Sequence, residues 1–196
     1  MDVKYVPSAC YAGEDGEKFY QYTMLEEASR KRFIYAYRET GGYSTCDFVK
    51  RAIIWFGYAP DTIQTDNGGE FTHTKKTKRI HPFDSLCAEL HITHKLIRPR
   101  TPWHNGKVER SHRNDQERFY NHLSFYSYED LQIQMKRYLY RSNNIPMAVI
   151  GWKSPNQKQR EMETAWFFWL QSGYALPPSE KSILHRQNSF AFSGLT

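Results

Sequence analysis

The stretch TIQTDNGGEF, residues 62–71, decides the predicted fold of this chain. Its first four residues predict a short β-strand from Thr62 to Thr65, which leads directly into Asp66. The Asn-Gly-Gly after Asp66 is a turn sequence, because these residues tolerate backbone conformations that others avoid. The pattern predicts a strand that ends at an acidic residue, and the functional sites of open α/β sheets lie at such strand ends.

The residues before this stretch predict three strands and a helix. Strands are expected over residues 2–9, 18–25 and 32–37, separated by turn sequences, which suits an antiparallel meander. A capping box at residues 44–47 predicts the start of a helix, and Gly57 predicts its end.

The residues after this stretch predict further helices and one more strand. First come a basic loop over 72–81, a short helix over 83–90 and a strand over 94–97. An irregular segment over 98–106 follows, and then a helix from near Asn105 to about Leu123. Two more helices are predicted, one opened by a capping box at 127–130 and one that begins at Ser154-Pro155. This order predicts an α/β fold with one mixed five-stranded sheet flanked by helices. We expect a core over residues 1–162 and a C-terminal tail of uncertain structure over 163–196.

The composition excludes several classes of protein. The chain has 196 residues, enough for one domain with a sizeable core. It has no apolar run near the ~20 residues that a membrane-spanning helix needs, and no signal-peptide pattern is visible. Cys10, Cys46 and Cys87 are widely spaced, which argues against a zinc site or a disulfide framework and suits a reducing compartment.

Positive charge is clustered in one part of the sequence. The formal net charge is +6, and residues 73–113 form a basic block. A basic surface attracts polyanions through phosphate contacts and counterion release. A solvated charged face is the alternative, but this block flanks two acidic residues, Asp66 and Glu109, and that arrangement favours nucleic acid as the partner.

Three acidic residues stand at predicted element boundaries. Asp2 begins the first strand, Asp66 ends the fourth, and Glu109 lies in the first turns of the helix that starts near Asn105. Carboxylate oxygens suit Mg²⁺ or Mn²⁺ rather than zinc. Two such ions about 4 Å apart would stabilise the attacking and leaving oxygens of a phosphodiester displacement.

Each acidic residue also has a purely structural explanation. Asp66 is suited to form the turn that follows it, and Glu109 is spaced to pair with Arg113 one helical turn later. Asp2 would then be a terminal residue without a role. Each explanation is sufficient for its residue taken alone, whereas the joint placement beside a basic block favours a metal site.

At these residues the sequence resembles the DDE catalytic cores of insertion-sequence transposases and retroviral-type integrases, within the RNase H-like superfamily. The matching stretches are MDVKYV (1–6), TIQTDNGGEF (62–71), KLIRPRTPWHNGKVERSHR (95–113) and, more loosely, NNIPMAVIGWKSPNQ (143–157). The resemblance implies an RNase H-like fold and a catalytic, metal-binding triad of Asp2, Asp66 and Glu109 with two Mg²⁺ or Mn²⁺ ions. It also implies hydrolysis of a phosphodiester at a transposon end, followed by attack of the freed 3′-hydroxyl on target DNA.

The resemblance implies partners and a location as well. The expected partners are transposon ends, target DNA and further copies of the chain, without a membrane. The implied location is the cytoplasm of a prokaryote, at the nucleoid. The residues predicted to contact DNA are Asn67, Lys75, Lys76, Lys78, Arg79, His104, Asn105, Lys107, Arg110 and Arg113.

Two features depart from the family pattern. Forty-two residues separate Asp66 from Glu109, more than is common in the family, and the excess is expected in the basic loop, where an insertion leaves the sheet intact. Asp2 follows Met1 directly, where family members have further strand residues and a DNA-binding region. Two alternatives to the transposase therefore stay open: an RNase H-like nuclease that cuts without joining, and an inactive DNA-binding remnant of a truncated transposase.

Overall fold

The structure is a computed structural model that describes residues 1–13, 16–98 and 106–172. Its strands are β1 (Asp2–Tyr5), β2 (Tyr20–Leu25), β3 (Arg32–Tyr37), β4 (Thr62–Thr65) and β5 (Thr93–Leu96). Its helices are α1 (Gly42–Phe56), α2 (Pro82–Glu89), α3 (Gly106–Arg118), α4 (Tyr128–Ser142) and α5 (Pro155–Ser172). The predicted α/β class is confirmed.

The five strands lie in two sheets, and the single five-stranded sheet that the sequence predicted is not formed over the described residues. β1, β2 and β3 form an antiparallel meander in which Asp2 pairs with Thr23. β4 and β5 run parallel, as a separate pair. The Met1 ammonium donates a hydrogen bond of 2.6 Å to the Gln64 carbonyl. β1 and β4 are therefore neighbours that touch at one point, without a ladder of strand pairs between them.

Both faces of the meander are covered, which explains its many buried side chains. Gln21, Tyr22, Thr23 and Met24 are consecutive in β2 and all buried, although their side chains point alternately to opposite faces. Tyr22 packs against Phe48 of α1 with ring centroids 5.4 Å apart. On the opposite face, Gln21 and Thr23 lie under α3, so this face of the core is polar.

Several helix ends follow the predicted capping signals. Ser127 Oγ accepts a hydrogen bond of 3.1 Å from the Asp130 N–H at the start of α4. Ser154 Oγ accepts from the Gln157 N–H at 3.2 Å before α5. Gly57 ends α1 in the left-handed region at φ 79°, where a residue without a Cβ is unstrained.

The predicted capping box at residues 44–47 is wrong. α1 begins at Gly42, so these residues lie inside the helix. Thr45 Oγ1 instead donates a hydrogen bond of 2.8 Å to the Glu70 carbonyl. This contact ties α1 to the segment that follows Asp66, and a tertiary contact of this kind has no local sequence signal.

Other boundaries differ from the prediction by more than one residue. β1 stops at Tyr5, before Pro7, which has no N–H to donate to a strand pair, and residues 8–10 form a short 3₁₀ helix. α3 ends at Arg118 instead of near Leu123. α5 continues from Pro155 to Ser172, and the division into a core over 1–162 and a tail over 163–196 stays a prediction. The predicted irregular segment over 98–106 and the end of the predicted tail lie mostly outside the described residues.

None of the described helices combines the length and the apolar character that a membrane span requires.

Candidate active site

Asp2 lies on β1 with its carboxylate turned toward α3. Its Oδ1 accepts a hydrogen bond of 2.9 Å from the Val3 N–H, and its side chain is 14% exposed. Burial, then the negative charge of Asp66 and, more weakly, that of Glu109 together raise the pKa of Asp2 to about 6. Since a charge acts in this way at short range only, the three acidic groups occupy one region of the molecule.

Asp66 lies at the carboxyl end of β4, as the sequence predicted, and its carboxylate shapes the turn. Its Oδ1 accepts a hydrogen bond of 3.0 Å from the Gly68 N–H. The Asn67 amide donates to the Ile97 carbonyl at 3.1 Å, which ties the turn to the end of β5. One oxygen of Asp66 is thus used for the turn, and Oδ2 forms no hydrogen bond with a described residue. The turn-forming role and a ligand role are compatible in this geometry.

Glu109 lies in the first turn of α3 and is exposed. The alternative ion pair with Arg113 is not formed between these two described residues. The carboxylate is therefore available to a ligand, and its charge reaches Asp2 across the gap between α3 and β1.

His112 is a site residue that the sequence reasoning missed. Its Nδ1 lies 3.6 Å from Asp2 Oδ2, and its Nε2 lies 3.1 Å from Thr23 Oγ1. Burial lowers the pKa of His112 to about 4, so the imidazole is neutral near pH 7. The available signal was its position three residues after Glu109, which places both side chains on one face of α3.

A buried polar network fixes α3 against the meander. Asp115 of α3 is fully buried and contacts Arg32 of β3, whose guanidinium also donates to Ser111 Oγ at 2.7 Å. Asp115 Oδ2 accepts from the Gln21 amide at 2.8 Å, and Oδ1 accepts from the Tyr138 hydroxyl at 2.9 Å. These bonds fix where α3, the helix that carries Glu109, lies on the sheet and how it is rotated about its own axis.

The donor set suits magnesium or manganese, although no closed cage exists. Among the described residues, no group of three His, Cys, Asp or Glu side chains is close enough to enclose one ion. Mg²⁺ is commonly held by one or two carboxylates together with substrate phosphates and water, rather than by protein ligands alone. Asp2, Asp66 and Glu109 offer oxygen donors of this kind, and a cation would relieve the repulsion that raises the pKa of Asp2.

Apart from Asn67, whose amide bonds to the Ile97 carbonyl, the residues predicted to contact DNA fall into three groups. Lys75, Lys76, Lys78 and Arg79 are exposed in the basic loop over 72–81, which contains no helix or strand. Arg110 and Arg113 are exposed on α3, and Lys107 there pairs with Glu27. His104 and Asn105 lie outside the described residues.

Comparison with known proteins places the chain in a family. The sequence model of a family described as "Integrase core domain" matches residues 1–102, and a second model with the same description matches residues 90–146. A curated relative, a protein named "Putative integrase ORF3" from Spiroplasma virus SpV1-C74, is 30% identical over 152 residues. That match covers 73% of this chain and 41% of the relative, so the chain spans well under half the length of this relative.

Solved structures of integrase catalytic cores share the fold. The core domain of BIV integrase superposes with a TM-score of 0.58 at 18% identity, covering 85% of this chain and 96% of that one. The HTLV-2 integrase catalytic core in complex with magnesium gives a TM-score of 0.57 at 18% identity, covering 80% of this chain and 90% of that one. The described residues thus have the fold of an integrase catalytic core, and, because the first family model matches more than half of its length, this chain belongs to the integrase core domain family.

Proposed function

We propose that this chain is the catalytic core of a DDE polynucleotidyl transferase, which cleaves and joins DNA phosphodiesters with divalent metal ions. The observation that carries the proposal is the electrostatic convergence of Asp2, Asp66 and Glu109. Burial, then the charge of Asp66 and more weakly that of Glu109, raise the pKa of Asp2 to about 6, and a perturbed carboxyl beside further carboxylates supports a cation site there.

The three carboxylates have separable roles in this proposal. Asp2 lies deepest, accepts a hydrogen bond from the Val3 N–H and has His112 Nδ1 3.6 Å from its Oδ2. Asp66 offers Oδ2, which forms no hydrogen bond with a described residue, and Glu109 lies in the first turn of α3. When bound there, two Mg²⁺ or Mn²⁺ ions would supply charge stabilisation for the attacking and leaving oxygens of an in-line displacement.

DNA is the substrate that the surrounding charges favour. The exposed cations of the basic loop and of α3 (Arg110 and Arg113) lie on the segments that follow Asp66 and that carry Glu109. Cations placed around a carboxylate centre contact phosphates and orient the scissile bond, since phosphate contacts position nucleic acid without reading its sequence. Transposon ends, target DNA and a multimer of this chain complete the proposed assembly.

A joining assay tests the proposal against its two alternatives. The full chain is incubated with Mn²⁺, a supercoiled plasmid and a labelled duplex that carries a free 3′-hydroxyl. Label transferred covalently to the plasmid by the wild type, and lost in both Asp66→Asn and Glu109→Gln, is the expected result. Glu89→Gln, a neutralised exposed glutamate on α2, is the matched control and retains joining.

The remaining outcomes contradict the proposal in different ways. Nicked plasmid without transferred label identifies an RNase H-like nuclease that does not join. Plasmid binding that is indifferent to Mn²⁺ and to both carboxylate substitutions, without any strand breakage, identifies an inactive DNA-binding remnant.

A further inference from the structure

Helix α2 packs against α1 and β5 and carries none of the three carboxylates of the candidate active site. Its N-terminal end is nevertheless connected to the segment around Asp66 at two points. One contact reaches the residue before Asp66, and the other reaches the turn after it. Both contacts pass through a histidine side chain.

The contact before Asp66 is a network of three side chains, Thr65, His94 and Asp84, which we call the Thr65 network. Thr65 is the last residue of β4 and is fully buried. Its Oγ1 lies 2.8 Å from Nε2 of His94 on β5. Nδ1 of His94 lies 2.6 Å from Oδ1 of Asp84, in the first turn of α2. Since a carboxylate only accepts hydrogen bonds, Nδ1 carries a proton, and this bond fixes the orientation of the imidazole.

The Thr65 network ends on the backbone of Asp66. The Thr65 hydroxyl donates a hydrogen bond of 2.9 Å to the Asp66 carbonyl. A hydroxyl has one proton and two lone pairs, so Thr65 can bond to this carbonyl and to His94. The His94 side chain is only 7% exposed and packs on Phe83 of α2 with ring centroids 4.6 Å apart. The network is therefore shielded from water, and the loss of one partner would leave a buried polar group unsatisfied.

The contact after Asp66 holds the turn from the other side. His81 directly precedes α2 and is buried. Its Nδ1 accepts a hydrogen bond of 3.3 Å from the Phe83 N–H, so in the neutral imidazole Nε2 carries the proton. The Gly69 carbonyl accepts this proton at 3.2 Å. The start of α2 thus holds the backbone on both sides of Asp66.

A backbone held on both sides gives the Asp66 carboxylate a defined direction. Its Oδ1 accepts a hydrogen bond of 3.0 Å from the Gly68 N–H, which leaves Oδ2 as the oxygen that can face a cation. Side chains that stand behind a metal ligand orient it and thereby raise the affinity for the metal.

We propose that Thr65, His94 and Asp84 are positioning residues for Asp66, which fix the direction of its carboxylate. The proposal rests on the proposed function for the purpose of that direction, which is to offer Asp66 to a divalent cation. In this role the three residues act through the Asp66 backbone and contact neither metal nor DNA. If they served only to pack α2 on the sheet, the turn after Asp66 would not respond to the loss of the Thr65 hydroxyl.

Amide hydrogen exchange, followed by NMR on the full chain in EDTA, tests the positioning without metal or DNA. The reporter is the Gly68 amide, which is bonded to Asp66 Oδ1. The reference is the Asp130 amide, which is bonded to a side-chain oxygen at the start of α4. Thr65→Val keeps the shape of the side chain and removes its hydroxyl. It is expected to speed exchange at Gly68 about fivefold, the effect of one lost hydrogen bond, without a change at Asp130.

Three further variants identify the cause. Thr65→Ser retains the hydroxyl and is expected to exchange like the wild type, whereas Asp84→Ala is expected to act like Thr65→Val. Glu89→Ala, at an exposed position of the same helix, is the matched control and leaves exchange at Gly68 unchanged. Unchanged exchange at Gly68 in Thr65→Val and Asp84→Ala overturns the inference. Equal acceleration at Gly68 and Asp130, or equal acceleration in Thr65→Ser and Thr65→Val, also overturns it, because the cause is then a loosened fold or lost packing.

A manganese titration tests the consequence for the metal. Free Mn²⁺ is measured by its EPR signal, and comparison with Asp66→Asn identifies the binding that depends on Asp66. Thr65→Val and Asp84→Ala are expected to weaken this binding about tenfold, the lower end of the usual effect of residues that orient a metal ligand. Thr65→Ser and Glu89→Ala are expected to retain it. Unchanged Mn²⁺ affinity in Thr65→Val and Asp84→Ala overturns the inference.

Failure of this inference is distinguishable from failure of the proposed function. Equal Mn²⁺ binding by the wild type and Asp66→Asn contradicts the proposed function, whereas faster exchange at Gly68 in Thr65→Val still supports the hold of the Thr65 network on Asp66. Joining of DNA and Mn²⁺ binding that both depend on Asp66 but are indifferent to Thr65→Val contradict the inference and leave the proposed function standing.

Discussion

Arg32 Nη1 lies 2.5 Å from Asp115 Oδ1, and both side chains are almost fully buried. The pair joins β3 to α3 six residues after Glu109, which is less than two turns of helix. A buried ion pair does not by itself add much stability, because desolvation opposes the attraction. Its effect here is geometric: the additional bonds to Gln21, Ser111 and Tyr138 define one position of α3 on the sheet.

Removal of one partner of this pair is expected to be strongly destabilising. Asp115→Ala leaves the Arg32 guanidinium buried without its counter-charge, and such changes cost about 3–5 kcal/mol. Urea denaturation measures the change in the free energy of unfolding. Glu161→Ala breaks the half-exposed pair with Lys153 and is expected to cost less than about 1 kcal/mol. Equal costs for the two variants would contradict the assigned role of the buried pair.

Asp2 predicts a pH dependence of stability in the absence of metal. The pKa of Asp2 is raised by burial, then by Asp66, from 3.8 to about 6 in the folded chain. The folded state thus binds the proton more tightly than the unfolded state, so this contribution is present below pH 3.8 and is lost as pH rises through about 6. His112 titrates with the opposite sign, because burial lowers its pKa to about 4. A comparison of the wild type with Asp2→Asn isolates the contribution of Asp2, because both proteins contain His112.

In EDTA, Asp2→Asn is expected to be more stable than the wild type at pH 7, by on the order of 1–3 kcal/mol. The advantage shrinks as the pH falls to about 4, where the wild-type carboxyl is protonated in the folded chain. Urea denaturation at several pH values measures the difference between the two proteins. A difference that is constant from pH 4 to pH 7 would contradict the raised pKa of Asp2.

His112 is expected to act by positioning Asp2. Its Nδ1 lies 3.6 Å from Asp2 Oδ2 and its Nε2 bonds to Thr23, so His112→Ala removes the side chain that packs against Oδ2 and leaves the Val3 N–H as the partner of Oδ1. Loss of a group that orients a metal ligand typically costs 10–100-fold in metal affinity or activity. The Mn²⁺ concentration that gives half-maximal DNA cleavage is expected to rise in His112→Ala, with a smaller rise in His112→Gln. Unchanged manganese dependence with unchanged rate would argue for a packing role alone.

The basic loop is expected to contribute to DNA affinity without affecting chemistry at the carboxylates. Replacement of Lys75, Lys76, Lys78 and Arg79 by glutamine removes exposed charges, and each lost phosphate contact lowers the slope of log affinity against log salt by about 0.9. Salt titration of duplex binding measures that slope in both proteins. An unchanged slope would mean that the loop faces away from the DNA.

The sequence predicted the parts of the site that depend on local pattern. The bounds of β3 and β4 are those predicted, because alternating side chains and turn residues act within a few positions. The turn after Asp66 is also formed as predicted, and the helix that carries Glu109 starts one residue from its predicted start, although it ends at Arg118 instead of near Leu123. These elements place two of the three carboxylates.

The sequence did not predict features that depend on contacts between distant segments. Arg32 and Asp115 are eighty-three residues apart, and charged residues are rarely buried unless paired, so neither was expected in the core. The division into two sheets was not predicted for the same reason. It depends on the distance between β1 and β4, which lie far apart in the sequence and meet at the Met1–Gln64 contact. His112 lies within a basic run of the sequence, and only its helical spacing from Glu109 indicated a place in the site.

Anomalous diffraction from a crystal soaked in Mn²⁺ tests the central claim most directly. We expect manganese peaks about 2.0–2.2 Å from carboxylate oxygens of Asp2 and Asp66, with Glu109 in the same cluster, and no peak there in Asp66→Asn. Manganese bound elsewhere on a crystal of the wild-type chain, with these three carboxylates free of metal in protein that still joins DNA, would contradict the account.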